Sequence, residues 1–271
     1  MTLKTQIGKL YWWFLRTFIY NDFISDIFFK KGIQKRINGH DIILPFKYSW
    51  FYPSNYEQEK SNFISEHCTI GDTVIDIGAH LGIFTYFLAK QVGPTGKVYS
   101  FEPAENTFDQ LRKTIKYNQL ESFVIANQQA VSNHSGQVEF FIYSNSKISN
   151  ANSISAQNTD SSTKRTFVNC ITLDDYFAKL NLNNLSLIKI DAEGAELDIL
   201  LGGEKLIFKY RPFITLEVHP KSFNNRLKSL TDIFELVSEY KYAVYKEKQL
   251  LTLNEFCNHD TYFEVLLIPK Y

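Results

Sequence analysis

The sequence predicts an α/β protein built on a parallel sheet with right-handed crossovers, and three observations predict it. Strand-forming segments alternate with helix-patterned ones from residue 73 to residue 218. The stretch DTVIDIGAHLGIFTYFLAK, residues 72 to 90, passes from strand formers through a glycine turn into an apolar helical pattern. A length of 271 residues with 44% hydrophobic residues suffices for one main core.

In chain order, the first 51 residues read as an aromatic helical arm and a short hairpin, and residues 52–271 as the main domain. The arm's longest apolar run, Leu10 to Leu15, is six residues, against roughly 20 for a membrane-spanning helix. No small-residue cleavage site follows it, so a secretory signal is not expected. The arm is expected to pack on the domain or across a homodimer interface. The alternative is peripheral contact with the inner face of a membrane, with Trp12 and Trp13 at the headgroups and Lys4, Lys9 and Arg16 on the wet side.

RINGHDIILPF predicts a hairpin turning at Asn38-Gly39. A helix capped at Ser54 or Asn55 should lead to the turn at Gly71-Asp72. There follow strand 73–77, helix 81–91, strand 97–102, helix 104–117 and strand 122–128. The Ser- and Asn-rich stretch 143–164 has almost no apolar period and reads as a long loop, a candidate substrate lid. Periodicity returns in strand 165–171, a short helix in TLDDYFAKL, strand 186–191, helix 194–209, strand 213–218 and helix 226–239. Strands 241–246 and 261–268 are expected to pair antiparallel with no helix between them.

Lys plus Arg and Asp plus Glu each number 29, so no global positive field draws nucleic acid. Cys68, Cys170 and Cys257 are odd in number and far apart, which argues against disulfides and a zinc site and for a reducing, cytoplasmic setting.

Four constellations carry chemistry. The turn Asp76-Ile77-Gly78-Ala79-His80-Leu81-Gly82 has the spacing D-x-G-x-x-x-G, unlike a nicotinamide-dinucleotide fingerprint, and its strand-tip acid suits a cationic ligand group. Glu102 follows Asp76 by 26 residues, near the position at which doubly wound folds hold a ribose diol. LIKIDAEGAELDILLGG ends a buried strand in Asp191, Glu193 and Glu196. In ITLEVHP, Glu217 and His219 share one strand face, and His219 beside carboxylates reads as a general base. Asp191, Glu217 and His219 together offer a divalent-metal alternative that is not favoured.

DTVIDIGAHLGIFT, FEP, TLDDY, KIDAEGAELDILLGG and LEVH, in this order over residues 52 to 220, resemble the FkbM family of S-adenosylmethionine-dependent methyltransferases. His80 departs from that family's usual asparagine. The resemblance implies a class I methyltransferase (Rossmann-like) three-layer sandwich with a seven-stranded, mostly parallel sheet whose last strand is antiparallel. It implies S-adenosyl-L-methionine as cofactor, with its amino group near Asp76, contacts at Gly78, Ala79, His80 and Gly82, ribose at Glu102 and Pro103, and adenine near Ala130 and Val131. It further implies O-methylation of a small-molecule or glycan acceptor; for that chemistry the residues suggest His219 as the base, Asp191 positioning it or sharing its role, and Glu193 or Glu217 holding substrate hydroxyls. The competing readings are a nicotinamide-dependent oxidoreductase, a non-catalytic scaffold on the same fold, and an RNA methyltransferase.

Overall fold

The computed structural model describes residues 30–143, 163–223 and 226–270. The expected N-terminal helix and nearly all of the candidate lid lie outside the described residues. Among the described residues no helix is long and apolar enough to cross a membrane.

The first element is the predicted hairpin, β1 (Ile33–Ile37) and β2 (His40–Leu44), turning at Asn38 and Gly39 with φ of 48° and 82°. Two successive positive φ values define the type I′ turn that Asn-Gly favours. Its buried side chains Ile37, Ile42 and Leu44 join the core formed by α1 (Gln58–His67) and α2 (Ile83–Val92). Helix α1 begins two or three residues later than the sequence suggests, because Glu57, in a left-handed conformation at φ 41°, stands at its N-cap.

The main sheet has eight strands in the order β12-β11-β13-β10-β9-β3-β4-β5. Its parallel part comprises β3 (Thr73–Ile77), β4 (Lys97–Phe101), β5 (Val124–Asn127), β9 (Leu187–Ile190) and β10 (Phe213–Val218). Every residue of β3 and β9 is buried, as continuous runs covered on both faces require. Each fully buried Val, Leu or Ile contributes about 1.5–3 kcal/mol.

Alternate side chains serve opposite layers. Ile75, Ile77, Ile188 and Ile190 pack under α5 (Glu196–Gly202), α6 (Glu204–Tyr210) and α7 (Arg226–Glu239), while Val74 and Leu187 face α1, α2 and α3 (Glu105–Tyr117). The three-layer sandwich follows. The last strand, β13 (Phe263–Pro269), lies antiparallel between β10 and β11 (Tyr242–Lys246).

Four expectations are corrected. The sheet gains an eighth strand because Gln249–Leu250 folds back on β11 as β12. The single helix over 194–209 is two, α5 and α6, divided at Gly202-Gly203. A Cβ on Gly202 would lie 2.1 Å from the Ser132 carbonyl oxygen, so glycine permits this close approach. A second sheet, β6 (Ala130–Val131), β7 (Gly136–Tyr143) and β8 (Thr163–Ile171), was only partly anticipated, although GQVEFFIY carries strand formers. Besides α4 (Leu173–Phe177), capped by Thr172 as TLDDY suggests, a short helix α8 (Leu253–Cys257) separates the late strands behind a Thr252/Glu255 capping box.

Candidate active site

The chain order reverses between β3 and β9, and the carboxyl ends of these strands open into a cavity of about 470 Å³. This is the switch-point crevice where open α/β sheets bind ligands. Its walls come from the turns after β3, β4 and β9, the end of β10, the segment around β6, and two pieces outside that frame: Tyr52, Tyr56 and Glu57 ahead of α1, and Tyr262 ahead of β13.

The β3 turn is bound inward. Gly78 and Ala79 both donate N–H to the Phe101 carbonyl at 3.0 Å, and Gly82 donates to Ala79 at 2.8 Å. The N–H groups of Gly78 and Ala79 thus close the turn on β4, and that of Gly82 bonds within the turn. Gly78 and Ala79 line the cavity, whereas Gly82 does not. A Cβ on Gly78 would lie 1.7 Å from the Asp191 carbonyl oxygen, so glycine at φ 71° lets the β3 and β9 turns touch.

Asp76 also departs from its expected place. It is fully buried, does not line the cavity, accepts from Thr85 Oγ1 at 2.6 Å and pairs with Lys189 Nζ at 3.2 Å. Lys189, a lysine within an apolar strand, donates to the Gly78 carbonyl at 2.9 Å and stands 3.6 Å from Asp191. Burial opposes its charge, but Asp76 and Asp191 outweigh burial and raise its pKa. The sequence signal was available: a lysine in LIKI must find acids if the strand is buried.

Glu102 does face the cavity. Its two oxygens accept from His80 N and Ala104 N, each at 3.0 Å, leaving each oxygen a further lone pair. Burial lifts its pKa to about 7 against the pull of those two N–H groups. His80 is held neutral, its pKa lowered to about 4 by burial. Its Nδ1 meets the Tyr52 hydroxyl at 3.3 Å, while Nε2, like the Thr107 hydroxyl, is buried with no partner among the described residues, although both residues line the cavity. Pro103, Ala130 and Val131 line the adjoining wall.

The other half of the cavity gathers Asp191, Glu193, Glu217 and His219. His219 Nδ1–H donates to Glu196 Oε1 at 2.8 Å, and Nε2 lies 3.5 Å from both Glu193 and Glu217. Burial pulls the imidazole pKa down, yet the bonds to Glu196 and Glu217 and the charge of Glu193 raise it to about 11. A raised imidazole holds its proton more tightly, which weighs against the base role expected from the sequence. Glu193 has the matched affinity instead: burial lifts its carboxyl to about 7, partly countered by His219. Glu217 is pushed up by burial and held down more strongly by His219 and by Lys60 Nζ at 3.0 Å.

Asp191, Glu217 and His219 offer ligand atoms within 4.8 Å of one another, but lysine ammonium groups already stand against both carboxylates. Lys60, 2% exposed on α1, also faces Glu57 at 2.6 Å and Glu264 at 3.6 Å. Sequence reasoning missed Tyr52, Tyr56, Glu57, Lys60 and Tyr262, because nothing local to those segments marks them as site residues. Glu57, His80 and Glu193, all lining the cavity, are non-glycine residues at φ of 41°, 50° and 51°, conformations retained where the surroundings over-determine them.

Residues 76–244 match the family described as the Methyltransferase FkbM domain. Methyltransferase 1 of Beauveria bassiana (strain ARSEF 2860) is 25% identical over 144 residues, covering 48% of this chain and 57% of that protein. Methyltransferase sdnD of Sordaria araneosa is 25% identical over 155 residues, covering 48% of this chain and 59% of that protein. The chain thus spans somewhat over half the length of these curated relatives. A crystal structure of a candidate rRNA-methylase from Clostridium thermocellum superposes with a TM-score of 0.50 at 14% identity, over 82% of this chain and 100% of that one, a likeness of fold. With a match over more than half its length, and the class I sheet order around the cavity, the chain belongs to the FkbM methyltransferase family.

Proposed function

We propose that this chain transfers a methyl group from S-adenosyl-L-methionine to a hydroxyl of a small-molecule or glycan acceptor, a sugar hydroxyl first. The observation that carries the reading is the acid-lined crevice at the switch point of an FkbM-family sheet. The residues present fit this cofactor. Five carboxylates, Glu57, Glu102, Asp191, Glu193 and Glu217, line the cavity beside two cationic side chains, Lys189 and His219, a balance that favours a cationic ligand. Glu102 retains acceptor capacity for two hydroxyls, and His80 Nε2 and the Thr107 hydroxyl, without partners among the described residues, can each make a polar contact. When bound, the cofactor supplies a methyl group made electrophilic by its sulfonium.

The chain's own work is then alignment and removal of one proton. Glu193 accepts the proton of the acceptor hydroxyl, its carboxyl being poised near neutral pH. His219, protonated, orients Glu193 and Glu217 through Nε2–H and stabilises the ionised form of Glu193. Tyr262, 70% exposed at the rim, lies nearly parallel to the His219 ring at 6.3 Å and 23°, and so presents an aromatic face on which a sugar ring can rest. The acid-rich lining disfavours phosphate near the reacting hydroxyl, which weighs against RNA.

Calorimetric titration of S-adenosyl-L-methionine and S-adenosylhomocysteine into wild type and Glu102→Gln tests the cofactor, followed by methyl transfer to a panel of methyl glycosides. Saturable binding weakened in the variant is expected. A folded wild type that binds neither compound overturns the reading.

A further inference from the structure

Glu196 is fully buried and does not line the cavity, so it cannot touch an acceptor. Yet one of its oxygens, Oε1, holds two parts of the site: it accepts from His219 Nδ1–H at 2.8 Å and from Gly194 N–H at 3.0 Å. Gly194, at φ 108°, follows Glu193 in the turn after β9. Its other oxygen, Oε2, is buried without a hydrogen-bond partner among the described residues, a costly arrangement for a carboxylate unless a neighbouring cation compensates it.

We propose that Glu196 is the positioning residue of this site: its carboxylate fixes the His219 ring through Nδ1 and, through the same oxygen, anchors the turn bearing Glu193, so that Nε2–H and Glu193 meet in the cavity. The Glu196 Oε1 that takes the Gly194 N–H is an acceptor, so its bond to the ring assigns the proton to Nδ1 and sets the direction of the opposite ring edge. That edge faces Glu193 from the β9 turn and Glu217 from β10, with Lys60 of α1 and Glu264 of β13 behind Glu217 and Tyr262 alongside. Asp191 completes the charged surroundings at the end of β9. The inference rests on the methyl-transfer reading only for its effect on turnover; the geometry of the ring stands without it.

The test is nitrogen NMR of the His219 ring across pH in the ligand-free protein, for wild type, Glu196→Gln and Glu217→Gln. In Glu196→Gln the His219 titration is expected to fall by roughly one to two units, a tenfold to hundredfold loss of proton affinity. Glu217→Gln should move it less, since that contact is 3.5 Å rather than 2.8 Å. Should Glu196→Gln not fold, Glu196→Asp, which draws the carboxylate back by one methylene, is expected to give an intermediate shift. A titration unchanged in a folded Glu196 variant, or moved more by Glu217→Gln, overturns the proposal and leaves Glu196 a structural residue. Because this readout needs neither cofactor nor acceptor, its failure is separate from the absence of cofactor binding that would end the methyl-transfer reading.

Discussion

Lys60 Nζ sits 3.0 Å from Glu217 Oε2, joining a helix that precedes the family-matched span to a strand end that carries the site. With Glu57 and Glu264 also within 4.0 Å, one buried ammonium serves three carboxylates. Lys60→Met should destabilise the protein by roughly 3–5 kcal/mol, as removal of one member of a buried ionic group does. The loss is expected to shrink in acid as Glu264 and Glu217 take up protons, and chemical denaturation at two pH values measures it.

Turnover should rise with pH through about 7 as Glu193 loses its proton. Glu193→Gln is expected to lower kcat by roughly 10²–10⁴-fold, the usual share of general base catalysis, while leaving cofactor affinity within a few fold. A profile that keeps its acidic limb in Glu193→Gln would assign the proton acceptor elsewhere.

Stability has its own pH dependence. Burial raises Glu102, Glu193 and Glu264 to about 7, so the folded state binds more protons than the unfolded chain between about pH 4.5 and 7. His219, raised to about 11, extends that excess upward from about pH 6.5. Both contributions make stability fall as pH rises. The urea midpoint of the ligand-free protein is expected to be higher at pH 6 than at pH 9, and the difference should narrow in His219→Gln.

Glu102→Gln keeps the acceptor for one backbone N–H and removes the charge. Charge-assisted bonds contribute roughly 1.5–3 kcal/mol each, so cofactor affinity should fall at least tenfold, read by calorimetry, while the amide NH2 set against the second backbone N–H costs about 1–3 kcal/mol of stability without unfolding the protein. Loss of fold rather than of affinity would make Glu102 a structural residue of the β3 and β4 turns.

Gly78→Ala places a methyl group 1.7 Å from the Asp191 carbonyl oxygen at a φ of 71°. Separation of the β3 and β9 turns is expected, with a loss of several kcal/mol of stability and of cofactor binding together.

The sequence by itself determined the alternation of strands and helices, the hairpin at Asn38-Gly39 and the strand tips at which Glu102, Asp191, Glu217 and His219 stand, because periodicity and turn chemistry are local properties. Tertiary structure decided the assignment of roles. Asp76 and Asp191 look alike as strand-tip acids, yet one is sealed under the turn with Lys189 and the other lines the cavity. His219 reads as a base in sequence, but three carboxylates from α5, the β9 turn and β10 surround it and raise its proton affinity. Lys60 and Tyr262 enter the site from elements far away in the chain, brought there by the packing of α1 and by the insertion of β13 beside β10. Charge state depends on burial and on neighbours distant in sequence, and both exist only once the chain has folded.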